Sequence, residues 1–96
     1  MSKGTLGSFN GAVTPGANML PIFRENELAV FPNSTLQFSK MVIRQIGIKT
    51  DAGVVVEING REMPIVSGEF EMGFGLIDIY SLVFRDSVNA NIYYMY

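Results

Sequence analysis

The 96-residue sequence contains no cysteine, no histidine and no tryptophan. Without cysteine the chain has neither a disulfide framework nor a thiol nucleophile. Without histidine it also lacks the common zinc ligand sets and every arrangement in which an imidazole activates a nucleophile. These absences predict that the protein is not an enzyme and that it holds no metal or other cofactor.

Charged side chains are also scarce. They make up 17% of the sequence, whereas an ordinary soluble domain has roughly 25%. The net charge is -2, so no basic surface indicates a nucleic-acid partner. A domain of this size leaves much of its surface exposed, and with few charges that surface must be largely neutral or apolar. Because large apolar patches usually mark interfaces, we expect a homo-oligomer or a multi-copy assembly.

The longest uncharged stretch, residues 4–23, has the length of a membrane span. It contains four glycines and two prolines, which are unfavourable in a membrane helix. The sequence therefore predicts no transmembrane helix in this stretch and no membrane partner.

Residues 1–26 are interpreted as an extended N-terminal arm that precedes a β-sandwich domain at residues 27–96. Glycines and the turn signal Thr14-Pro15-Gly16 interrupt this segment, and its apolar side chains follow neither a helical nor a strand period. One interpretation is a flexible terminus. The other is an arm that is mobile in the free chain and docks on a neighbouring subunit, because exposing so much apolar surface to water is unfavourable. The arm residues predicted to lie at such an interface are Phe9, Met19, Leu20, Ile22 and Phe23.

The clearest structural signal is a hairpin at residues 53–65. Val54, Val56 and Ile58 alternate with more polar residues, which is the period of a half-buried strand. Asn59-Gly60 follows at once and suits a type I′ turn, because both residues tolerate positive φ. The chain then returns through a strand that contains Pro64. Because proline has no N–H, we expect its side of that strand to face an edge or solvent.

The remaining segments are predicted to form further short strands, and no helix is predicted. The strand candidates are residues 27–31, 35–38, 40–49, 69–74, 76–84 and 88–96. Strands that recur every eight to twelve residues or so, with turns between them, predict an all-β fold, a small antiparallel β-sandwich.

The last candidate strand carries a face of alternating apolar residues. Val88, Ala90, Ile92, Tyr94 and Tyr96 share that face, and the residues between them lie on the other. A terminal strand so rich in tyrosine is expected to be tied down, because exposed aromatic side chains at a free end invite pairing with other chains. The tyrosines predicted to lie at a subunit interface are Tyr93, Tyr94 and Tyr96.

Three further motifs are candidate sites. Glu69 and Glu71 share one strand face and could act in acid–base chemistry or bind calcium, but they alternate with Phe70 and Met72 and so indicate a solvated outer face. The run at residues 73–75, Gly-Phe-Gly, lacks the lysine and the helix of a phosphate loop. A third possibility is a sugar-stacking platform, although tyrosine is also common at protein interfaces and in cores. The platform would consist of Tyr80, Tyr93, Tyr94 and Tyr96.

The segment from Ile46 to Tyr96 contains the successive motifs IGIKTDAGVVVEINGREMPI, GEFEMGF, IYSLVF and NIYYMY. In this order it resembles a small β-domain that recurs in bacteriophage virion structural proteins, among them head-decorating, fibre-associated, tail and baseplate components. The motifs are packing and turn residues, and the resemblance brings no catalytic residue with it. Residues 1–38 lie outside it.

The resemblance implies a non-enzymatic virion structural protein whose partners are other virion proteins. Such a protein is assembled in the host cytoplasm and is located in the virion. We expect it to attach to or cement neighbouring capsid or tail subunits through its arm and its apolar surface. The alternative is a small carbohydrate-binding module that recognises host glycans through its tyrosines.

Overall fold

The computed structural model describes residues 5–33, 35–38, 40–65, 68–72 and 78–96. Within them the chain forms seven strands, one α-helix and one 3-10 helix. The 3-10 helix spans Thr35–Phe38. The other elements, in chain order, are β1 (Leu6–Ala12), α1 (Leu20–Val30), β2 (Gln45–Thr50), β3 (Val54–Ile58), β4 (Arg61–Ile65), β5 (Gly68–Met72), β6 (Leu82–Phe84) and β7 (Asn89–Met95).

The strands form two antiparallel sheets. The first has the order β1-β7-β2-β5, and the second has the order β4-β3-β6. Strand β7 lies between β1 and β2, so the last strand of the chain joins the first strand to the rest of its sheet. The predicted small antiparallel β-sandwich is confirmed.

One hydrophobic core joins the inner faces of both sheets and the buried side of α1. Buried and more exposed residues alternate along β3 and along β7, as their period of two predicted. Each layer contributes a large side chain that is fully buried: Phe23 from α1, Tyr94 from β7 and Phe84 from β6. The helix therefore belongs to the same core as the sheets.

The hairpin between β3 and β4 is confirmed. Asn59 has a φ of 51° and Gly60 a φ of 82°, which is the pair of left-handed residues that a type I′ turn requires. Pro64 lies on β4 and pairs with Val55 of β3, and β4 is an edge strand of its sheet. The missing N–H of Pro64 therefore interrupts no ladder within the described sheet.

Helix α1 differs from the prediction that the chain has no helix, and that prediction is wrong. The strand predicted at residues 27–31 is wrong for the same reason, because residues 27–30 form the last turn of α1. The buried residues Leu20, Phe23 and Glu27 are spaced by three and four, which is a helical period. Because Glu27 is charged, the apolar residues of the sequence do not by themselves show this period. Pro21 lies in the first turn, where proline is favourable.

Two other predicted strands also differ from the structure. Residues 35–38 form the 3-10 helix instead of a strand. In the segment at residues 40–49 the ladder begins only at Gln45, although Ile43 forms an isolated bridge with Ile79. The predicted features at residues 73–77, and the faces occupied by Phe70 and Met72, lie outside the described residues and side chains.

The segment interpreted as an N-terminal arm is built into the chain's own fold. Strand β1 pairs along its whole length with β7. The next residues run beside β6, where the Gly16 N–H donates to the Phe84 carbonyl at 2.9 Å and the Met19 N–H donates to the Leu82 carbonyl at 2.7 Å. The division at residue 26 falls inside α1. Removal of residues 1–23 would take a strand and several core side chains with it.

Two tyrosines on β7 each cover a glycine on a neighbouring strand. Gly7 is opposite Tyr94 in the register, and Gly47 is opposite Tyr93. A Cβ atom at position 7 would lie 2.7 Å from Cζ and 2.8 Å from Oη of Tyr94, and a Cβ atom at position 47 would collide with the Tyr93 ring. Because neighbouring strand residues point to opposite faces, the two rings cover the sheet on opposite sides.

These two glycines provide a matched pair of substitutions. Tyr94 is fully buried and stacks on Phe23 at 4.8 Å between ring centroids, so its ring has no room to move. We expect Gly7→Ala to lower the free energy of unfolding by about 1–3 kcal/mol through overpacking. Gly47→Ala should cost less, because Tyr93 is 43% exposed and can turn into solvent. Chemical denaturation measures both, and equal losses in the two variants would contradict this account.

The turn at Asn59-Gly60 provides a second prediction. A β-branched residue at position 60 would have to adopt the φ of 82° that glycine holds there. We expect Gly60→Val to lower the free energy of unfolding by about 1–3 kcal/mol. Gly60→Asn is the control, because asparagine tolerates this region and should cost less. A denaturation midpoint that does not change in Gly60→Val would overturn the turn assignment.

Candidate interaction groove

The segment that leads into β6 is held by the side chain of Asn59. The Asn59 Oδ1 accepts hydrogen bonds from the N–H groups of Tyr80 at 2.7 Å and Ser81 at 3.2 Å. Its Nδ2 donates to the Asp78 carbonyl at 2.8 Å. The turn of the hairpin therefore fixes the backbone of residues 78–81 through one amide.

Asn18 holds the same segment from the other side. Its Oδ1 accepts from the Leu20 N–H at 3.1 Å and from the Leu82 N–H at 3.0 Å. Its Nδ2 donates to the Tyr80 carbonyl at 3.4 Å. One side chain thus joins the start of α1 to the start of β6. Together, Asn18 and Asn59 fix the backbone on both sides of Tyr80.

Although its backbone is fixed, the Tyr80 side chain is 61% exposed. It borders an open groove of about 690 Å³, a size typical of ligand sites, which we call the Tyr80 groove. The first turns of α1 form one wall, with Leu20, Pro21 and Arg24. The other walls are formed by Tyr80 itself and by the residues around the end of the 3-10 helix, Phe38, Lys40, Met41 and Val42.

Phe38 is the most exposed large apolar side chain among the described residues, at 82%. It lines the Tyr80 groove together with Tyr80. Val30 and Phe31, at the end of α1, are also exposed. Aromatic side chains bury roughly 150–250 Å² each when a partner covers them. The groove therefore presents a substantial aromatic area to water.

The charges in the groove have one sign. Arg24 and Lys40 are the only charged residues among its described lining residues, whereas the whole chain has a net charge of -2. The Arg24 Nε donates to the Leu36 carbonyl at 3.0 Å, which ties α1 to the 3-10 helix beside the groove. This arrangement favours a neutral or acidic partner.

The described residues contain no group of three or more metal-ligating side chains, and no described helix is both long and apolar enough to cross a bilayer. Glu57 and Glu62 do face each other across β3 and β4, which places like charges in register. Arg85 bridges them, with its Nε 3.4 Å from Glu57 Oε2 and its guanidinium in contact with Glu62 Oε1. The carboxylates of Glu62 and Glu57 raise the pKa of Arg85. This is an ion-pair network at the protein surface.

Most of the residues predicted at a subunit interface lie in the core of the chain. Met19, Leu20, Phe23 and Tyr94 are buried, and the half-buried residues Phe9, Ile22 and Tyr96 pack against the same core. They contact their own chain because β1 pairs with β7 in the first sheet and α1 packs against the same core. Among the predicted residues, Tyr93 is the most exposed, at 43%.

Four of these aromatic residues form a continuous cluster in which the rings of Phe23 and Tyr94 are stacked. The ring centroids are 5.4 Å apart for Phe9 and Phe23, 4.8 Å for Phe23 and Tyr94, and 5.9 Å for Tyr94 and Tyr96. The Tyr96 hydroxyl donates to Oε1 of the buried Glu27 at 2.7 Å. Burial raises the pKa of Tyr94, and the Glu27 carboxylate raises it further. Burial and the hydrogen bond to Glu27 raise the pKa of Tyr96.

Two of the residues that line the groove were predicted from the sequence to belong to a site: Tyr80 as one member of a sugar platform, and Leu20 as an arm residue at a subunit interface. Phe38 and Lys40 lie in a short segment without clear periodicity, and Asn18 precedes a helix that was not predicted. The one available signal was an apolar Phe38 in a run otherwise rich in small polar residues. Nothing in the sequence placed that run beside Tyr80.

Comparisons of the chain with models of known protein families, with curated proteins and with solved structures give no match. The candidate site therefore rests on the geometry described above.

The contact between Tyr96 and Glu27 leads to a prediction about stability and pH. Tyr96→Phe removes the donor to a buried carboxylate and should lower the free energy of unfolding at neutral pH by about 1–3 kcal/mol. Because the folded state holds the protons of Tyr94 and Tyr96 more tightly than the unfolded chain does, stability should be complete below about pH 10 and fall as the pH rises further.

Urea denaturation between neutral pH and about pH 11 would measure both effects. The decline above about pH 10 should be shallower in Tyr96→Phe by about one proton, because one of the two perturbed phenols is gone. Tyr80→Phe is the matched control, because it also removes one phenol hydroxyl but from a ring that is 61% exposed and lies outside the core. An identical alkaline slope in wild type and Tyr96→Phe would contradict the assignment.

Proposed function

We propose that the chain is a non-enzymatic structural protein of a bacteriophage virion and that it attaches to or cements neighbouring capsid or tail subunits through the Tyr80 groove. The observation that carries the attachment role is the exposed Tyr80 ring on a backbone fixed from two sides. The virion assignment rests on the resemblance of the segment from Ile46 to Tyr96 to a domain of phage structural proteins.

A fixed, exposed aromatic side chain suits a binding surface for an energetic reason. Binding costs free energy whenever side chains and loops become ordered, and a segment that is already ordered avoids part of that cost. The residues that dominate protein interfaces are often tyrosine, tryptophan or arginine in the centre of the contact. The Tyr80 groove places Tyr80 and Arg24 in one concave surface beside Phe38.

The non-enzymatic part of the proposal is supported by composition. The chain has neither cysteine nor histidine, so thiol nucleophiles and imidazole general bases have no residues to use. The exposed carboxylates Glu57 and Glu62 are paired with Arg85. The low overall charge and the exposed apolar side chains support a role in contacts with other subunits.

Carbohydrate recognition is the second candidate function, and one observation favours it. Tyr80 and Phe38 line the groove together with the amide of Gln37, and sugars are bound by this combination of aromatic and polar groups. Of the four tyrosines in the predicted platform, Tyr80 lines the groove, whereas Tyr94 is fully buried and is not available to a sugar. A glycan would therefore be expected in the groove.

The proposal can be tested in particles assembled from the genome that encodes the chain. We expect quantitative mass spectrometry to find the protein in purified particles, and Tyr80→Ala to weaken its attachment on the order of tenfold or more. Tyr80→Phe is the matched control because it keeps the ring and should attach like wild type. The thermal unfolding midpoints of both variants should stay unchanged, since the ring is exposed.

Three outcomes would count against the proposal in different ways. Absence of the wild-type chain from purified particles would overturn the virion assignment. Normal incorporation of Tyr80→Ala would overturn the role of the groove. Saturable binding of the isolated protein to a glycan array, abolished in Tyr80→Ala, would replace subunit attachment with carbohydrate recognition.

A further inference from the structure

The outer side of β1 is an edge of the first sheet. Thr5 and Tyr96 exchange both of their backbone hydrogen bonds, at 2.8 and 3.0 Å, and the Val13 N–H donates to the Val88 carbonyl at 3.0 Å. Hydrogen-bonded residues alternate along an antiparallel pair, so the odd-numbered residues of β1 bond to β7. The even-numbered residues direct their N–H and C=O groups away from β7. No described strand pairs with that side.

This edge lacks the protection that other edges of the sandwich have. The edge strand β4 contains Pro64, which has no N–H to offer. The outer side of β6 is covered by residues 16–19, through the bonds at Gly16 and Met19. Strand β1, LGSFNGA, contains neither a proline nor a charged residue. Unprotected edges of this kind are templates for pairing with another chain.

The pattern of apolar, glycine and polar residues in β1 is symmetric about Phe9. Reading outward from Phe9, Ser8 corresponds to Asn10, Gly7 to Gly11, and Leu6 to Ala12. In an antiparallel pair of two β1 strands centred on Phe9, each residue therefore meets one of similar polarity. The strand is complementary to a second copy of itself, and two uncharged strands bring no like charges together.

The hydrogen-bonding phase agrees with this register. With Phe9 at the centre, Ser8 of one copy is opposite Asn10 of the other, and Leu6 is opposite Ala12. All of these are even-numbered residues, whose backbone groups face outward. Pairs 6–12 and 8–10 each occur twice by symmetry and each exchanges two bonds, which gives about eight bonds across the contact. A register shifted by one residue would place outward groups opposite inward ones.

The side chains are also compatible with the register centred on Phe9. Phe9 lies on the inner face of β1 and is half-buried, and it would stand beside Phe9 of the second copy at the symmetry axis. Gly11 has no atom within 4 Å of the position of a Cβ, so the second ring has space beside it. Gly11 has a φ of 134° and still pairs with Ala90 in the ladder between β1 and β7. Aromatic rings already cover Gly7 and Gly47 within this sheet.

We propose that the protein forms a two-fold homodimer in which β1 pairs antiparallel with β1 of a second copy, centred on Phe9, so that the two four-stranded sheets become one continuous sheet. This contact is separate from the Tyr80 groove and does not depend on the function proposed for it. The full chain should be a reversible dimer in analytical ultracentrifugation.

The register can be tested with two variants that carry the same number of charges. In Ser8→Lys/Asn10→Lys, lysines of the two copies oppose each other, whereas in Ser8→Lys/Asn10→Glu each lysine opposes a glutamate. We expect the first variant to dissociate on the order of tenfold more readily than the second. Circular dichroism and thermal unfolding of the monomers check that both variants fold, which is expected because positions 8 and 10 are exposed.

A third variant removes one outward hydrogen-bond donor. Ser8→Pro lacks the N–H that points away from β7 and should be monomeric, and Ser8→Ala should dimerise like wild type. Tyr80→Ala should also dimerise normally, so that failure of the groove proposal and failure of this one are distinguishable. A wild-type chain that is monomeric at all measured concentrations would overturn the inference. Equal dimer affinities in the two charge variants would overturn the register.

Discussion

Strand β7 is the constraint on which the rest of the structure depends. It pairs with β1 on one side and with β2 on the other, so it links the two ends of the chain to the middle. Its consecutive residues Tyr93 and Tyr94 cover Gly47 and Gly7 on opposite faces. The Tyr94 ring also stacks on Phe23 and thereby holds α1 on the sheet. Loss of β7 would separate β1, β2 and the helix at once.

Asparagine side chains replace strand pairing where the sheets end. Asn18 and Asn59 together make six hydrogen bonds to the backbone, five of them to residues 78–82 and one to Leu20. Such amides can donate and accept at the same time, so one side chain satisfies several backbone groups that no strand covers. The result is an irregular segment with a fixed backbone. An exposed aromatic residue on such a segment is available for binding at a reduced entropic cost.

The edge strands of the sandwich differ in how well they are protected from pairing with another chain. Pro64 and the residues beside β6 block two of them, whereas β1 is uncharged and its outer side pairs with no other strand that the structure describes. An exposed, uncharged edge strand promotes uncontrolled association with other chains, and natural proteins usually block such edges. Pairing of β1 with β1 of a second copy limits that association, because a two-fold contact is closed and leaves neither β1 edge free for a further chain. The Tyr80 groove, which carries Arg24 and Lys40, is a chemically different surface.

The sequence by itself determined the local structure that depends on neighbouring residues. The hairpin turn at Asn59-Gly60, the edge position of Pro64 and the alternating faces of β3 and β7 were all predicted, because turn chemistry and a period of two act over a few residues. The antiparallel sandwich followed from the spacing of such segments. The absence of cysteine and histidine also limits the chemistry that this chain can perform in any fold.

Only the tertiary structure decided which apolar segments are core and which are surface. Residues 6–26 have no visible period, yet residues 6–12 become a strand because β7 pairs with them, and residues 16–19 bond to β6 just before α1 begins. The same long-range pairing buries Tyr94 and leaves Phe38 and Tyr80 exposed around one groove. Burial depends on contacts between residues distant in sequence, and local patterns carry little information about them.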